Sequence, residues 1–334
     1  MSPTADEEPR DGERDILGSL SLLSRSSGTA SARTVWVALG ANLLVGVAKS
    51  VAAVVTGSAS MLAEAAHSWA DTGNEVFLLI ANRRSRRPPD RAHPLGYGRE
   101  AYVWSLLAAL GLFVAGAAVS VTHGIQELIK PEPATDFVVG YVVLALSFVL
   151  EGISFLRSVS QARPTAELFD RDVIEEVMAT SDPTLRAVFF EDSAALVGLV
   201  IAAVGLAAHQ ATGSSTPDAI GSILVGLLLA VVAIVLINRN RQFLVGEEAD
   251  PLVRAALIRV LLELPEVDRV TYLRLSIVGP RKIYVVGDVD LVGDDTEPHL
   301  AVRLRALEAQ ISASAAVVGT VLSLSAPDEP SLSP

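Results

Sequence analysis

The chain has 334 residues, of which 51% are hydrophobic and only 5% aromatic, with no cysteine and a formal net charge of −12. The lack of cysteine excludes disulfides, iron–sulfur clusters, thiolate zinc sites and cysteine nucleophiles. The acidic balance argues against a nucleic-acid partner, which would require a basic surface. Long charge-poor runs with charges crowded between them indicate a membrane protein.

Six segments have the length and apolar character of a transmembrane helix, which needs about 20 residues. In chain order they are 34–56, 58–82, 102–122, 137–156, 187–208 and 219–237. The second segment departs from the pattern because it carries Glu64, His67, Asp71, Asn74 and Glu75. We still predict a span there, since without it the arginine-rich segment that follows would lie on the wrong side of the membrane.

Lysine and arginine residues concentrate in alternate loops. The loop after the second segment includes Arg83, Arg84, Arg86, Arg87 and Arg91, and the loop between the fourth and fifth includes Arg157, Arg163 and Arg171, whereas 57–60 and 209–217 hold neither lysine nor arginine. The positive-inside rule then predicts both termini in the cytoplasm. Residues 1–33 are polar at their start and contain no signal-peptide pattern, so we expect a disordered cytoplasmic tail before a transmembrane domain at 34–242.

Residues 243–326 have the pattern of a separate small domain. Apolar residues at helical spacing cover 251–264 and 298–311, and alternating runs cover 270–278, 282–292 and 317–324. The order α-β-β-α-β predicts a small ferredoxin-like α+β domain with helices on one face of a sheet. Residues 327–334 are predicted to be a tail. The expected fold is therefore an all-α membrane domain of six transmembrane helices followed by this domain.

Ionisable residues inside a span mark a substrate or ion path by default. His67 and Asp71 are four residues apart, so they share a helix face and can both reach one metal ion. Glu64 extends the same stripe towards the start of the segment. The alternative is a buried charge cluster satisfied by its neighbours, or the polar face of a wet vestibule.

The fifth segment adds the adjacent residues Glu191 and Asp192, which point about 100° apart on a helix. We expect one of them to complete the site and the other to orient it or carry protons. The alternative is that both lie solvated at the membrane surface.

Four further residues are candidates for a supporting role or a proton path. Asn42 and Lys49 share a face of the first segment and are expected to pair within the bundle. Glu151 is the one charge in the fourth segment, and is expected to partner such a group or to carry protons. Asp218 opens the sixth segment, where a helix-start role is favoured over a ligand role.

Several stretches resemble the cation diffusion facilitator family of zinc and divalent-metal transporters. They are the Asn42-to-Lys49 run, residues 56–72 (TGSASMLAEAAHSWADT) and residues 93–100 (HPLGYGRE). Residues 190–195 (FEDSAA) and 218–226 (DAIGSILVG) resemble the branch of that family that contains the mitochondrial zinc transporter 9 of animals. The family has six spans, cytoplasmic termini and an α-β-β-α-β C-terminal domain.

The resemblance also implies a tetrahedral transport site with two ligands on the second span and two on the fifth, four residues apart in each pair. His67 and Asp71 match the first pair. The fifth span departs from the pattern: one register places Glu191 and Ala195 at the two positions, and the other places Val188 and Asp192 there. Neither register supplies four ligands.

The function implied is efflux of a divalent metal, zinc first, by proton antiport in a homodimer, without a resident cofactor, an enzyme activity or a nucleic-acid partner. One histidine with carboxylates is a harder ligand set than several nitrogens, which favours manganese, iron or cobalt alongside zinc. The alternatives are a non-transporting metal sensor or scaffold and a proton-coupled transporter of another cation. Abundant arginine, alanine and valine without targeting features fit a bacterial inner membrane.

Overall fold

The computed structural model describes residues 32–131 and 136–334, so the predicted N-terminal tail falls outside the described residues except for its last two positions. The chain forms two compact units. The described part of one consists of residues 32–84, 100–131 and 136–244, and the described part of the other consists of Ser85–Arg99 and Val245–Pro334. The loop Ser85–Arg99, which the sequence places within the membrane domain, thus has its contacts in the second unit.

The first unit is a helical bundle in which each predicted span corresponds to one long helix. The helices within the described residues are α1 (Ala32–Thr56), α2 (Ala59–Ser85), α3 (Glu100–Ile129), α4 (Phe137–Leu168), the short α5 (Val173–Ala179), α6 (Pro183–Thr212) and α7 (Thr216–Val245). Within these residues, α3, α4, α6 and α7 are long and apolar enough to cross a membrane, and α1 contributes the shorter apolar stretch Asn42–Thr56. The polar helix α2 completes the set of six long helices.

The bundle is packed through small residues and presents large apolar side chains outward. On α3, a Cβ added to Gly124 would lie 2.7 Å from the carbonyl oxygen of Ala219 on α7, so the two backbones approach closely. On α4, Val138 is 74% exposed and several further valine and leucine side chains face outward. Small residues between helices and apolar side chains outside are typical of a membrane bundle.

Several helices of this unit are longer than the predicted spans, and α4 continues the furthest. Helix α4 continues for 12 residues past the predicted end at position 156 and includes Pro164 within its last turns. Helix α3 contains a π-helical segment, Leu112–Ala118. The short helix α5 lies between α4 and α6, where the sequence predicted only a charged loop.

The second unit has the predicted order α-β-β-α-β. Its elements are α8 (Pro251–Glu263), β1 (Val267–Gly279), β2 (Lys282–Leu291), α9 (Glu297–Ser312) and β3 (Val317–Leu324). The sheet has the order β1-β2-β3, with β1 antiparallel and β3 parallel to β2. Burial alternates along β2, so one face of the sheet is covered. The predicted tail also contacts this sheet, because the backbone N–H of Leu332 donates to Val270 O at 2.7 Å.

The α2–α3 loop is ordered by one exposed carboxylate. Asp90 accepts hydrogen bonds from the Tyr97 hydroxyl at 2.6 Å and from the backbone N–H groups of His93 and Ala92. These bonds, the Tyr97 bond foremost, lower the pKa of Asp90 to about 2. Near the end of the loop, a Cβ on Gly98 would lie 2.5 Å from Val278 O, so only glycine allows this approach to the β1–β2 turn.

Candidate functional site

Helix α2 carries a stripe of polar side chains that is buried inside the helical unit. Glu64 and His67 are fully or almost fully buried, and Asp71 is only slightly exposed. His67 Nε2 lies 3.3 Å from Asp71 Oδ2. The spacing of four residues therefore brings an imidazole and a carboxylate side by side, at an apolar depth where such groups are costly.

Two residues of α1 pair with acidic residues of α2 rather than with each other. Lys49 Nζ lies 3.0 Å from Glu64 Oε2, and both side chains are completely buried. Asn42 Nδ2 donates to Glu75 Oε2 at 3.2 Å, at the other end of the stripe. The ion pair neutralises Glu64, which separates it in role from the His67–Asp71 pair.

Helices α2 and α6 are joined at the site through an amide. Asn74 Nδ2 donates a hydrogen bond to Glu191 Oε2. Asp192, the next residue, instead hydrogen-bonds the side chain of Ser154 on α4. The adjacent carboxylates thus point to different helices, and Glu191 is the one directed to α2.

The carboxylates of three helices are close enough to interact with one another. Asp71 lies within electrostatic range of Glu191 and Asp192 on α6, of Glu151 on α4 and of Lys49 on α1. One buried ammonium group and several carboxyl groups therefore share this region. A divalent cation or protons would relieve the repulsion among them.

Many buried polar atoms at this place have no hydrogen-bond partner among the described residues. They are both ring nitrogens of His67, Asp71 Oδ1, Asn74 Oδ1, Glu191 Oε1, Asp192 Oδ2 and Glu64 Oε1. An unpaired buried polar atom costs about 1–3 kcal/mol, so such a concentration needs a ligand or protons to offset it. Imidazole nitrogen and carboxylate oxygen are donors that zinc and other divalent cations accept.

The histidine and acidic side chains do not form a complete metal-binding site in this conformation. Within residues 32–131 and 136–334, no three His, Cys, Asp or Glu side chains converge tightly enough to hold a metal ion. Ala195, one turn after Glu191, is buried and offers no donor atom. His67, Asp71 and Glu191 are thus neighbours that have not converged on one point.

Asp218 lies away from this stripe and caps α2 instead. Its Oδ2 accepts the backbone N–H of Ala59 at 2.7 Å, and its Oδ1 accepts the hydroxyl of Ser60. It is completely buried where α7 meets the start of α2. The sequence favoured a helix-start role for Asp218, and the structure assigns it to the start of another helix.

Sequence reasoning missed a buried arginine five residues before Glu191. Arg186 donates to Thr180 O at 3.0 Å and to Asn240 Oδ1 at 3.4 Å, and its guanidinium lies 4.9 Å from the centre of the Phe243 ring. An arginine at the edge of a span is expected to face headgroups or water. The burial of Arg186 could therefore not be predicted from the composition of the segment. Asn74 appeared in the sequence only as one polar residue among several.

Comparison with known proteins covers most of the chain. Residues 35–245 match the family model described as the cation efflux transmembrane domain. "Metal tolerance protein C4" of Arabidopsis thaliana is 36% identical over 263 residues, which are 79% of this chain and 58% of that protein. The human "Proton-coupled zinc antiporter SLC30A9, mitochondrial" is 33% identical over 283 residues, 84% of this chain and 50% of that protein. The chain thus spans about half the length of these two relatives.

The match to a bacterial relative covers a larger share of that protein than the two matches above do. The "Cation-efflux pump FieF" of Escherichia coli is 27% identical over 232 residues, which are 68% of this chain and 70% of that protein.

Proposed function

Because this chain belongs to the cation efflux family, also called the cation diffusion facilitator family, we propose that it exports a divalent metal cation, zinc in the first place, in exchange for protons. Two of the relatives are named for zinc antiport and cation efflux. The observation that carries the proposal is the concentration of unpartnered nitrogen and carboxylate atoms on α2 and α6. We propose transport rather than an enzyme activity for these residues, in line with the names of the two relatives.

The proposed ligands are His67 and Asp71 of α2 with Glu191 of α6. A metal ion requires a neutral imidazole and ionised carboxylates, so its binding displaces protons. Asp192 is proposed to orient the site or carry protons through Ser154, and Glu151 to carry protons beside it. Rocking of the helices around a site within the bundle would give alternating access.

The alternating placement of arginine supports cytoplasmic termini. We propose a homodimer whose contact is residues 243–326. That domain contains a single histidine, His299, and no cysteine, which argues against a second metal centre within it. The membrane we propose is the bacterial inner membrane, although the human relative is named as mitochondrial.

A second candidate function is a metal sensor or scaffold that binds without transport. It is favoured by the absence of a closed three-ligand group within the described residues and by the methyl group at Ala195. Metal binding without flux would distinguish it from a transporter.

The test is zinc flux into proteoliposomes under an imposed pH gradient. Wild type is compared with Asp71→Ala and with the matched control Thr72→Val, because the Thr72 hydroxyl donates to Ser68 O of its own helix. We expect gradient-dependent flux in wild type and the control, and none in Asp71→Ala. Undiminished flux in Asp71→Ala would remove Asp71 from the site. Folded wild type that binds zinc, manganese, iron or cobalt without moving any of them would establish the sensor.

His67→Asp separates a metal path from a path that carries only protons. In a metal site it replaces a nitrogen ligand with an oxygen and changes the preference among metals. In a proton-only path for another cation, the metal preference has no reason to change.

A further inference from the structure

The proposed site on α2 and α6 is one donor short. His67, Asp71 and Glu191 supply three ligands, and a tetrahedral zinc site takes four. The position one turn after Glu191 is Ala195, a buried methyl group. A fourth donor, if the protein provides one, has to come from another residue.

Asn74 is the buried polar residue best placed to supply the fourth donor. It follows Asp71 by three residues on α2, so the two side chains lie on neighbouring positions of one helix face. Asn74 is 3% exposed, and its Nδ2 donates to Glu191 Oε2. It thus contacts one proposed ligand and lies next to another.

The orientation of this amide follows from its partner. An ionised carboxylate only accepts hydrogen bonds, so the amide atom that faces Glu191 must be the NH₂ group. The carbonyl oxygen then points away from that bond. Asn74 Oδ1 is buried and has no partner among the described residues. It is therefore an available oxygen donor at the proposed site.

We infer that Asn74 is a substrate ligand, whose Oδ1 takes the place of the carboxylate absent at Ala195 while its Nδ2 holds Glu191 beside α2. The inference rests on the proposed function, because it names a further ligand of the same site. It also gives a charge balance, because the two carboxylates cancel a doubly charged cation while the neutral imidazole and the amide add no charge. Excess charge within a membrane is costly, so a neutral fourth ligand suits this site.

The ligand set of one nitrogen and three oxygens has a consequence for selectivity. Oxygen donors suit manganese and other harder cations, whereas nitrogen and sulfur donors favour zinc. Asn74→Asp adds an anionic oxygen at the same place and should shift relative affinity towards manganese. The shift is a readout that a merely structural asparagine would not produce.

The experiment measures equilibrium binding of zinc(II) and manganese(II) to the purified full chain in detergent. We compare wild type, Asn74→Ala, Asn74→Asp, the double variant Asn74→Ala/Ala195→Asp, and the control Thr72→Val. Loss of a group that only supports a metal ligand lowers metal affinity roughly ten- to hundredfold, and Asn74→Ala should lose at least that much zinc affinity. The double variant should recover it, because Ala195→Asp returns an oxygen donor one turn after Glu191. Asn74→Asp should recover only part of it, because it returns the oxygen donor but not the N–H group that donates to Glu191. Thr72→Val should bind as wild type.

Wild-type zinc affinity in Asn74→Ala would overturn the inference. Equal losses in Asn74→Ala and Asn74→Asp, with no recovery in the double variant, would also overturn it, since Asn74 would then serve only as a donor to Glu191. If Asn74→Ala does not fold, the selectivity of Asn74→Asp decides the matter. Flux in wild type that every Asn74 variant retains would leave the proposed function intact and remove this ligand, whereas no metal binding by folded wild type would remove both.

Discussion

Asp218 of α7 accepts the backbone N–H of Ala59, the first residue of α2, at a distance of 2.7 Å. The same carboxylate also accepts the hydroxyl of Ser60. The first N–H groups of a helix have no partner within it, and an acidic side chain there satisfies them and complements the helix dipole. The helix that carries His67 and Asp71 is therefore anchored at its start by a residue 159 positions away in sequence.

Replacing this cap should weaken the protein without touching the ligands. We expect Asp218→Ala to lower the free energy of unfolding by about 1–2 kcal/mol, the usual cost of a lost helix cap. Asp218→Asn should lose less, because an amide oxygen also caps well. Thermal unfolding in detergent and zinc flux measure the two effects. Normal stability with abolished flux in Asp218→Asn would instead assign Asp218 to the proton path.

The ion pair between Lys49 and Glu64 is completely buried, so its removal should depend strongly on which partner is lost. Lys49→Ala leaves a buried carboxylate without its counterion, and we expect a loss of about 3–5 kcal/mol. Lys49→Met/Glu64→Leu removes both charges and should recover most of that loss. A double-mutant cycle on unfolding free energies measures the coupling.

Flux in the same variants separates structure from proton transfer. If the pair only holds α1 against α2, the double variant should transport zinc as wild type does. Additive losses in stability, or a stable double variant without flux, would contradict this structural role.

Close packing around Glu64 makes Gly198 of α6 intolerant of a side chain. A Cβ there would lie 2.5 Å from Glu64 Oε1, and the ion pair with Lys49 restrains that carboxylate from moving aside. Gly198→Ala should cost about 1–3 kcal/mol, as overpacking does. The control is Gly73→Ala on α2, since nothing lies within 4 Å of its added Cβ. Equal melting temperatures of the two variants would show that the Glu64 carboxylate moves aside at little cost in stability.

The spans could be predicted because they depend on composition and charge alone. The second span was predicted in spite of its polar stripe. Without a span there, the loop from Arg83 to Arg91 would lie on the opposite side of the membrane from the other arginine-rich loops. Helix α4 continues for 12 residues past the predicted membrane span, and two features of the sequence hide this extension. The segment after position 156 is polar, and Pro164 usually ends a helix. Helix length outside the hydrocarbon layer leaves no hydropathy signal.

The site was predictable only where it is local. His67 and Asp71 are near each other because a helix places residues i and i+4 together, which the sequence alone shows. The contact of Asn74 with Glu191 and of Lys49 with Glu64 depends on which helices adjoin and how each is rotated. Packing of small residues such as Gly198 decides that, and a single sequence does not reveal it.

The α2–α3 loop should lose its order when Asp90 is replaced. The pKa of Asp90 is lowered from 3.8 to about 2, chiefly by the Tyr97 hydroxyl, so the carboxylate stabilises the loop above pH 3.8 and ceases to do so as the pH falls through about 2. At pH 8 the carboxylate is fully charged. Asp90→Ala should therefore be cut faster by trypsin after Arg91 than wild type is. Tyr97→Phe should fall between them, and cleavage elsewhere in the same digest is the control. Unchanged cleavage after Arg91 would show that the backbone holds the loop by itself.

Replacing the buried Arg186 should lower the stability of the helical unit more than replacing the exposed Arg163. It binds the carbonyl of Thr180 and the side chain of Asn240, and it lies over the Phe243 ring. Arg186→Ala removes these interactions, and hydrogen bonds to charged groups are worth about 1.5–3 kcal/mol each. The melting temperature in detergent should fall well below that of Arg163→Ala, whose parent side chain is 69% exposed.

Arg186→Lys tests whether charge or shape matters at this position. Lysine keeps the charge but lacks the planar fork that reaches two acceptors while lying over a ring, so it should not restore stability. Because Arg186 lies five residues before Glu191 on α6, we also expect its loss to lower zinc affinity by shifting that carboxylate. Full stability and affinity in Arg186→Lys would reduce the role of Arg186 to its charge, and normal affinity in a destabilised Arg186→Ala would separate this cluster from the site.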